Sequence, residues 1–239
     1  MNHIVKRFHH RLTLPLILLL LALSIGGLFW GYSNFKRDTT LPSDANPSAI
    51  GVELNQNYSG IDLHQLQENG LSFVYLRSTQ GRSYFDDDYL TYRDQILGTK
   101  LAFGTVIYYS NESTARQHYD YFFKQVGNNT GSLPIMVKPA VSSRSKKYLR
   151  SMANFVSMLQ AGQKNVLVAL NYKYHRLFPQ NTQFLKMSPK QPNKLQYSFW
   201  RYSTNGRVKN VSELDRGVTM YAYNGTVMQY KQKYGQLAQ

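Results

Sequence analysis

Acidic side chains are scarce in this chain, with 13 Asp and Glu among 239 residues, so few positions can act as a general acid, general base or nucleophile. Asp86, Asp87 and Asp88 form a run ahead of a helical stretch, and Glu112 precedes another. Carboxylates in such places usually cap the helix or interact with its dipole. Glu53 follows a short apolar stretch, where it is either a lone catalytic carboxylate or a solvated or salt-bridged one.

Neither thiol nor metal chemistry is indicated. The chain has no cysteine, which excludes disulfides and thiolate ligands. His64, His118 and His175 show no ligand spacing relative to one another or to acidic residues. We therefore predict no metal and no cofactor.

Short apolar strands alternate with helical stretches from Ile50 onward. Strand patterns rich in aromatic and β-branched residues cover residues 71–77, 101–109, 133–137 and 165–170. Helical spacing of apolar residues covers residues 89–97, 113–126 and 146–159. Alternation repeated four times predicts a parallel α/β architecture with right-handed crossovers, either a barrel or an open sheet.

The last 45 or so residues have a different character. Residues 196–202 and 218–223 read as strands, and Asn205-Gly206 after the first of them is a strong hairpin signal. The sequence therefore predicts an α/β series that finishes in antiparallel strands.

Several segments, in this order and at this spacing, resemble glycoside hydrolase family 25, the muramidases that cut the glycan of peptidoglycan. Residues 51–55 (GVELN) stand for the family's Gly-Val-Asp-Val-Ser, and 73–81 (FVYLRSTQG) for its Phe-Val-Tyr-Ile-Lys-Ala-Thr-Glu-Gly. Residues 199–202 (FWRY) match Phe-Trp-Gln-Tyr, and 217–225 (GVTMYAYNG) resemble the family ending. The resemblance implies an incomplete TIM-like β/α barrel, covering 50 to about 225, with a sugar-binding groove at the strand ends.

The resemblance also implies that the family's acidic groups are replaced here. Glycoside hydrolysis normally needs two carboxyl groups, one donating a proton and one attacking or stabilising the sugar. Lys138 and Ala140 stand at the Asp and Glu of the family's Asp-x-Glu, Thr219 at the Asp of the last strand, and Gln80 at a Glu. Glu53 keeps an acid at the first-strand Asp, and Lys138 could form an ion pair with it.

Aromatic residues are the candidates for sugar contact. The chain has 19 tyrosines, whose rings can stack on a saccharide while the hydroxyl binds its oxygens; most could equally pack the barrel. We expect Tyr75, Trp200 and Tyr202 to be glycan-binding, with Trp200 and Tyr202 forming a groove wall.

The N-terminus reads as an uncleaved signal-anchor. The apolar run from Leu12 to Trp30 is long enough to span a bilayer, and the small-x-small triplet Ala22-Leu23-Ser24 lies inside this run rather than at its end. Lys6, Arg7 and Arg11 favour a cytoplasmic N-terminus. We predict a cytoplasmic tail (1–11), a transmembrane helix (12–32), a linker (33–49) and an extracellular family 25-like domain (50–239).

Without the five basic residues at the anchor (Lys6, Arg7, Arg11, Lys36 and Arg37), the chain has 23 basic and 13 acidic residues, a net charge of +10 for the exported part. An exported domain of this size without disulfides points to a bacterial surface, especially a Gram-positive one, and no nucleic-acid motif is present. Three hypotheses remain open: a catalytically degenerate, membrane-anchored domain that binds peptidoglycan or another wall polymer; an active muramidase using Glu53 and one of Asp86–Asp88; and a scaffold for an unknown protein partner.

Overall fold

The computed structural model describes residues 6–35, 38–43, 48–142 and 145–235. The chain divides into two compact units, Met1–Asp38 and Thr39–Gln239.

The first unit consists of one long helix, α1 (Lys6–Phe35). Its apolar stretch Leu14–Tyr32 has 19 residues with a mean hydropathy of 2.2, and none of it is buried. At about 1.5 Å per residue, this stretch is about as long as a bilayer core is thick. Among the described residues it is the one helix with the length and composition of a membrane span, which a signal sequence would also have.

The second unit contains a ten-stranded mixed sheet in the part of the chain that the structure describes. Its strands are β1 (Ile50–Leu54), β2 (Phe73–Gln80), β3 (Tyr84–Phe85), β4 (Ala102–Tyr109), β5 (Ile135–Pro139), β6 (Val166–Val168), β7 (Gln183–Phe184), β8 (Lys186–Met187), β9 (Phe199–Gly206) and β10 (Val218–Tyr223). β1, β2, β4, β5, β6 and β7 pair in parallel in the order β1-β2-β4-β5-β6-β7.

The sheet curves into a nearly closed barrel. β10 pairs antiparallel with both β1 and β9, which confirms the predicted α/β series with an antiparallel end. β7 pairs with β6 at one edge of the sheet and β8 with β9 at the other. Only Leu185 separates β7 from β8, so a single extended segment joins the two edges.

Five helices of the second unit are α2 (Leu63–Glu68), α3 (Tyr89–Ile96), α4 (Ala115–Val126), α5 (Lys146–Ala161) and α6 (Val227–Tyr234). Leu149, Met152 and Phe155 on α5 share one buried apolar layer with strand residues such as Val74 and Val137. The opposite face of the strands forms a second layer inside the barrel. Two hydrophobic layers on the two faces of each strand explain why the strand sequences are almost continuously apolar.

α6 closes one end of the barrel. A capping box between Thr226 and Gln229 starts this helix. The Tyr230 ring packs 5.7 Å from Phe73, and the Tyr230 hydroxyl donates to the carbonyl of Ser72, which precedes β2. α6 therefore covers the end where the parallel strands begin and leaves the opposite end for a site.

Two sequence predictions differ from the structure. Asn205-Gly206 does not form a hairpin turn, because β9 continues through both residues and the chain reverses later, around a 3-10 turn at Ser212–Leu214. Part of the predicted linker 33–49 packs on the domain: Thr40 donates to the Arg207 carbonyl at 2.9 Å and accepts from the Tyr202 hydroxyl at 2.8 Å. The compact unit therefore begins before the predicted boundary at residue 50.

Candidate active site at the mouth of the barrel

The C-terminal ends of β1, β2, β4 and β5 meet at the end of the barrel opposite α6. This end is called the mouth below, and the side chains at it are Glu53, Arg77, Tyr108, Lys138, Arg201 and Tyr221. Strand alternation places them there. Val52 and Leu54, the neighbours of Glu53 on β1, lie in the outer apolar layer, so the Glu53 side chain faces the barrel interior. Active sites of β/α barrels lie at this end of the strands.

An ion pair crosses the mouth from β1 to β5. The Lys138 ammonium lies 2.9 Å from both Oε1 and Oε2 of Glu53. The Tyr108 hydroxyl donates to Oε1 at 3.0 Å, and the Tyr221 hydroxyl donates to Oε2. Both carboxylate oxygens therefore accept two hydrogen bonds, and the pair expected from the sequence is present.

Burial and charge act in opposite directions on this pair. Burial alone would raise the pKa of Glu53, which is 5 % exposed. The Lys138 charge and the hydrogen bonds from Tyr221, Lys138 and Tyr108 exceed that effect and lower the pKa of Glu53 below its usual value. Burial opposes the charged form of Lys138, but Glu53 and Tyr108 raise its pKa above the usual value. The pair is therefore ionised near neutral pH, and Glu53 carries no proton to donate.

The other four positions that the sequence resemblance assigned to acidic groups carry no carboxylate. Lys138 is engaged as described, and Ala140, just beyond β5, bonds through its backbone amide to the Tyr109 carbonyl at 2.8 Å. Thr219 lies in the half of β10 that runs beside the end of β1. Gln80, at the end of β2, accepts a hydrogen bond from Arg77 Nη2 at 3.1 Å. None of these four side chains can give a proton to a leaving oxygen as a carboxylic acid does.

Two arginines add positive charge at the mouth. The Arg77 guanidinium lies over the rings of Tyr84 and Tyr108, at 4.7 and 4.6 Å from their centroids. Arg201 on β9 is the registered partner of Tyr221 on β10. Burial and Glu53 raise the pKa of Tyr221 well above its usual value, and the Arg201 charge opposes that rise.

The sequence predictions missed four mouth residues: Arg77, Tyr108, Arg201 and Tyr221. The available signal was the two-residue alternation from Glu53 and Lys138. Tyr108 is the registered neighbour of Lys138 on the adjacent parallel strand. On β9 and β10 no such reference residue was available, because alternation alone does not say which face of a strand points inward.

The aromatic residues proposed as glycan-binding are in the core. Trp200 and Tyr75 are fully buried, and Tyr202 is 8 % exposed. Trp200 and Tyr202 lie in the outer layer beneath the helices, because β9 directs Phe199 and Arg201 to the interior and the alternate residues outward. Tyr75 lies inside the barrel, and its hydroxyl donates to the Pro134 carbonyl at 3.3 Å. None of the three presents a ring face to a glycan in this structure.

The acidic run after β3 serves the local fold. Asp86 is fully buried, and its Oδ2 accepts from the Gln56 amide and the Tyr84 hydroxyl, both at 3.2 Å. Asp88 occupies the N-cap position of α3 but makes no side-chain capping bond. Asp87 is exposed.

Glu112 does not cap α4 as the sequence suggested. It is exposed, and the cap is a capping box between Thr114 and Gln117. The sequence placed a carboxylate at the right helix end but two residues too early.

The histidines are scattered, and among the described residues no group of three or more His, Asp and Glu could hold a metal ion. His64 is exposed, and His175 stacks on Tyr172 at 4.6 Å. His118 is buried, stacks on Tyr109 at 4.2 Å and bonds through Nε2 to the backbone of Ser110. Burial lowers its pKa to about 4, so His118 is a neutral packing residue.

Comparison with known proteins agrees with this geometry. A family 25 glycosyl hydrolase from Bacillus anthracis superposes with a TM-score of 0.63 at 14% identity, covering 82% of this chain and 97% of that chain. The bacterial lysozyme from Streptomyces coelicolor gives 0.62 at 17% identity, with 80% and 98% covered. A muramidase from Trichobolus zukalii gives 0.60 at 15% identity, with 78% and 99% covered. At these identities the likeness shows the fold.

A search of curated protein sequences gave no match. The family model for glycosyl hydrolases family 25 matches residues 52–211, a span that begins within β1 and ends after β9. The resemblance seen in the sequence is thereby confirmed, and the chain belongs to glycosyl hydrolase family 25.

Proposed function

We propose that this protein is a membrane-anchored, catalytically degenerate member of its family that binds cell-wall peptidoglycan outside the cell without hydrolysing it. The observation that carries the proposal is the ion pair between Glu53 and Lys138 at the mouth. Of the positions where the family has catalytic acids, only that of Glu53 still holds a carboxylate, and this carboxylate is engaged in the ion pair. Ala140 stands where the family places its proton donor.

Hydrolysis of a glycosidic bond asks for groups that this mouth lacks. A general acid must hold a proton near neutral pH, which requires a raised pKa, whereas the pKa of Glu53 is lowered. A nucleophilic carboxylate must be open to the sugar, whereas both Glu53 oxygens accept two bonds each. The Lys138 ammonium would also oppose the positive charge that develops on the sugar in the transition state.

Binding to the wall is supported by the family and by charge. Two relatives of the same fold are described as a lysozyme and a muramidase. Residues 38–239 carry a net charge of +10, which favours association with polyanions. Outside a Gram-positive membrane, the abundant polyanions are teichoic acids and the wall itself.

The membrane anchor is supported by α1. Its apolar residues 14–32 are all exposed to solvent in the structure, so the helix does not serve as a core helix of the domain. Lys6, Arg7 and Arg11 precede this stretch and favour a cytoplasmic N-terminus with the domain outside. We propose an uncleaved single-pass anchor in a Gram-positive cell membrane.

An active muramidase with a relocated acid is the second candidate, and Asp86 gives it some support. Burial raises the pKa of Asp86, against hydrogen bonds from Gln56 and Tyr84, which is the direction a proton donor needs. The Asp86 side chain is fully buried, however, so it reaches a substrate only if the loop after β3 rearranges.

The proposal is tested by co-sedimenting the full-length protein, in non-ionic detergent, with insoluble peptidoglycan. We expect the protein to pellet at low salt, to be released in part near 0.5 M salt because screening weakens Coulomb attraction, and to liberate no soluble glycan. Release of glycan would favour the relocated acid. Failure to pellet at low salt would favour the third hypothesis, a scaffold that binds another protein.

A further inference from the structure

Positive charge at the mouth is only partly neutralised. Lys138 is matched by Glu53. Arg77 and Arg201 have no carboxylate within 4 Å among the described residues, where the ion pairs are Arg93–Asp94, Arg116–Asp120 and Lys138–Glu53. The mouth therefore presents two guanidinium groups that no nearby acid holds.

Arg77 is fixed in place by its neighbours. The rings of Tyr84 and Tyr108 hold the guanidinium between them. Nη2 donates to Gln80, whereas Nε is buried without a partner among the described atoms. Asp86 is near enough for Arg77 to act on its pKa, but the Asp86 carboxylate already accepts from Gln56 and Tyr84. Arg77 thus retains N–H donors in a rigid orientation.

Arg201 approaches the same opening from the antiparallel side. Phe199, two residues earlier on β9, lies in the interior layer, and Trp200 lies in the outer layer. Arg201 therefore projects into the barrel beside Tyr221, and it is partly exposed. Arg201 is close enough to Tyr221 for its charge to act on the pKa of that hydroxyl, which donates to Glu53. Arg77 and Lys138 both lie over the Tyr108 ring.

We propose that the mouth binds an anionic oxygen group of the wall, a carboxylate or a phosphodiester, through the guanidinium groups of Arg77 and Arg201. The planar guanidinium matches both groups, because two parallel N–H donors can meet two oxygens. An uncharged sugar ring would find few acceptors for its hydroxyl protons here, since Glu53 is saturated and Lys138 and Thr219 stand where the family has aspartates. This inference rests on the proposed function and names the ligand chemistry of the same site.

The experiment measures binding of three soluble probes to the full-length protein in non-ionic detergent by calorimetry. The probes are an uncharged N-acetylglucosamine tetramer, a muropeptide that carries carboxylates, and a glycerol phosphate oligomer that carries phosphodiesters. We expect at least one anionic probe to bind about tenfold or more tightly than the uncharged tetramer, as a charge-assisted contact would give. The muropeptide and the phosphate oligomer distinguish the two sources of the anion.

Variants separate the mouth from general surface charge. Arg201→Gln should weaken the anionic probe about tenfold, and Lys124→Gln, which removes one exposed charge from α4 on the outside of the barrel, should change its Kd less than twofold. Thr219→Asp, which adds a negative charge at the mouth and removes no guanidinium, should also weaken anionic binding. This second variant keeps the test decisive if Arg201→Gln does not fold.

Three results would overturn the inference. The uncharged tetramer could bind as tightly as the anionic probes, or no probe could bind at all. The third is that Arg201→Gln changes the Kd of the anionic probe no more than Lys124→Gln does, and that Thr219→Asp leaves it unchanged. Unchanged co-sedimentation of Arg201→Gln with insoluble peptidoglycan, beside any of these results, would leave wall binding standing and remove only the anionic site.

Discussion

Replacing Lys138 with methionine should destabilise the folded protein by about 3 kcal/mol at pH 7. Glu53 is 5 % exposed and the Lys138 side chain 14 %, so the substitution leaves a buried carboxylate without its counter-ion. Removing one partner of a buried pair typically costs about 3–5 kcal/mol. Tyr108 and Tyr221 still donate to the carboxylate, which places the expected loss at the lower end.

The loss should depend on pH with a definite sign. In the wild type the pKa of Glu53 is lowered, so its stabilising contribution is present above about pH 4.5 and is lost as pH falls. In Lys138→Met, burial is opposed only by the tyrosines and raises the pKa of Glu53. The folded variant then binds more protons than the unfolded chain, and its stability falls as pH rises. The difference between the two proteins should therefore shrink from pH 7 to pH 4.

The assay is urea unfolding of both proteins in non-ionic detergent at pH 4, 5.5 and 7, followed by near-ultraviolet circular dichroism. The double variant Glu53→Gln with Lys138→Met is the control, because it removes both charges together and should recover part of the loss. A loss below about 1 kcal/mol at pH 7, or a loss that does not change with pH, would refute the assignment of the pair as a buried, mutually dependent unit.

Three further predictions concern other parts of the molecule. Burial lowers the pKa of His118 from 6.5 to about 4, so the free energy of unfolding should fall by about 3 kcal/mol between pH 6.5 and pH 4 as His118 takes up a proton on unfolding. In His118→Gln the free energy of unfolding, measured in urea, should depend less on pH across this range. An unchanged pH dependence would contradict this prediction. Gly104→Ala would put a Cβ 2.5 Å from the Tyr75 ring and 2.9 Å from Leu133 Cβ, and should lower stability by about 1–3 kcal/mol; an unchanged urea midpoint would show that the interior layer is loosely packed. N-terminal sequencing of the native protein should retain α1, and a mature start after about residue 24 would show a cleaved signal peptide instead.

The fold was largely predictable because its segments keep the family's order and spacing. The predicted strand at 101–109 and helix at 146–159 fall within one or two residues of β4 and α5. The Asn205-Gly206 turn was wrong because local turn propensity yielded to pairing of β9 with β10. α6 was missed, although Thr226 and Gln229 have the spacing of a capping box.

The site could be predicted where a residue stands at a position whose chemical group is known from the family. It could not be predicted where the answer depends on which face of a strand points into the barrel. The Glu53–Lys138 pair followed from two opposite charges near the C-terminal ends of two strands, β1 and β5, that open on the same end of one barrel. Trp200 and Arg201 are adjacent, and only the tertiary structure shows which of them faces the interior. The sequence prediction placed Trp200 in the sugar-binding groove, whereas in the structure Trp200 lies under the helices. A shift of one residue exchanges the two faces of a strand, so residue type alone could not resolve this choice.

Release of reducing ends from purified peptidoglycan by the full-length wild-type protein, with Glu53→Gln measured beside it, distinguishes a degenerate domain from an active muramidase. Under the proposal that Ala140 stands at the donor position, the missing general acid alone corresponds to a loss of about 10²–10⁴-fold in rate, and the engaged Glu53 adds to that loss. We expect the wild type and Glu53→Gln to release reducing ends at the same background rate. Clear turnover by the wild type that Glu53→Gln abolishes would contradict this expectation and establish an active muramidase.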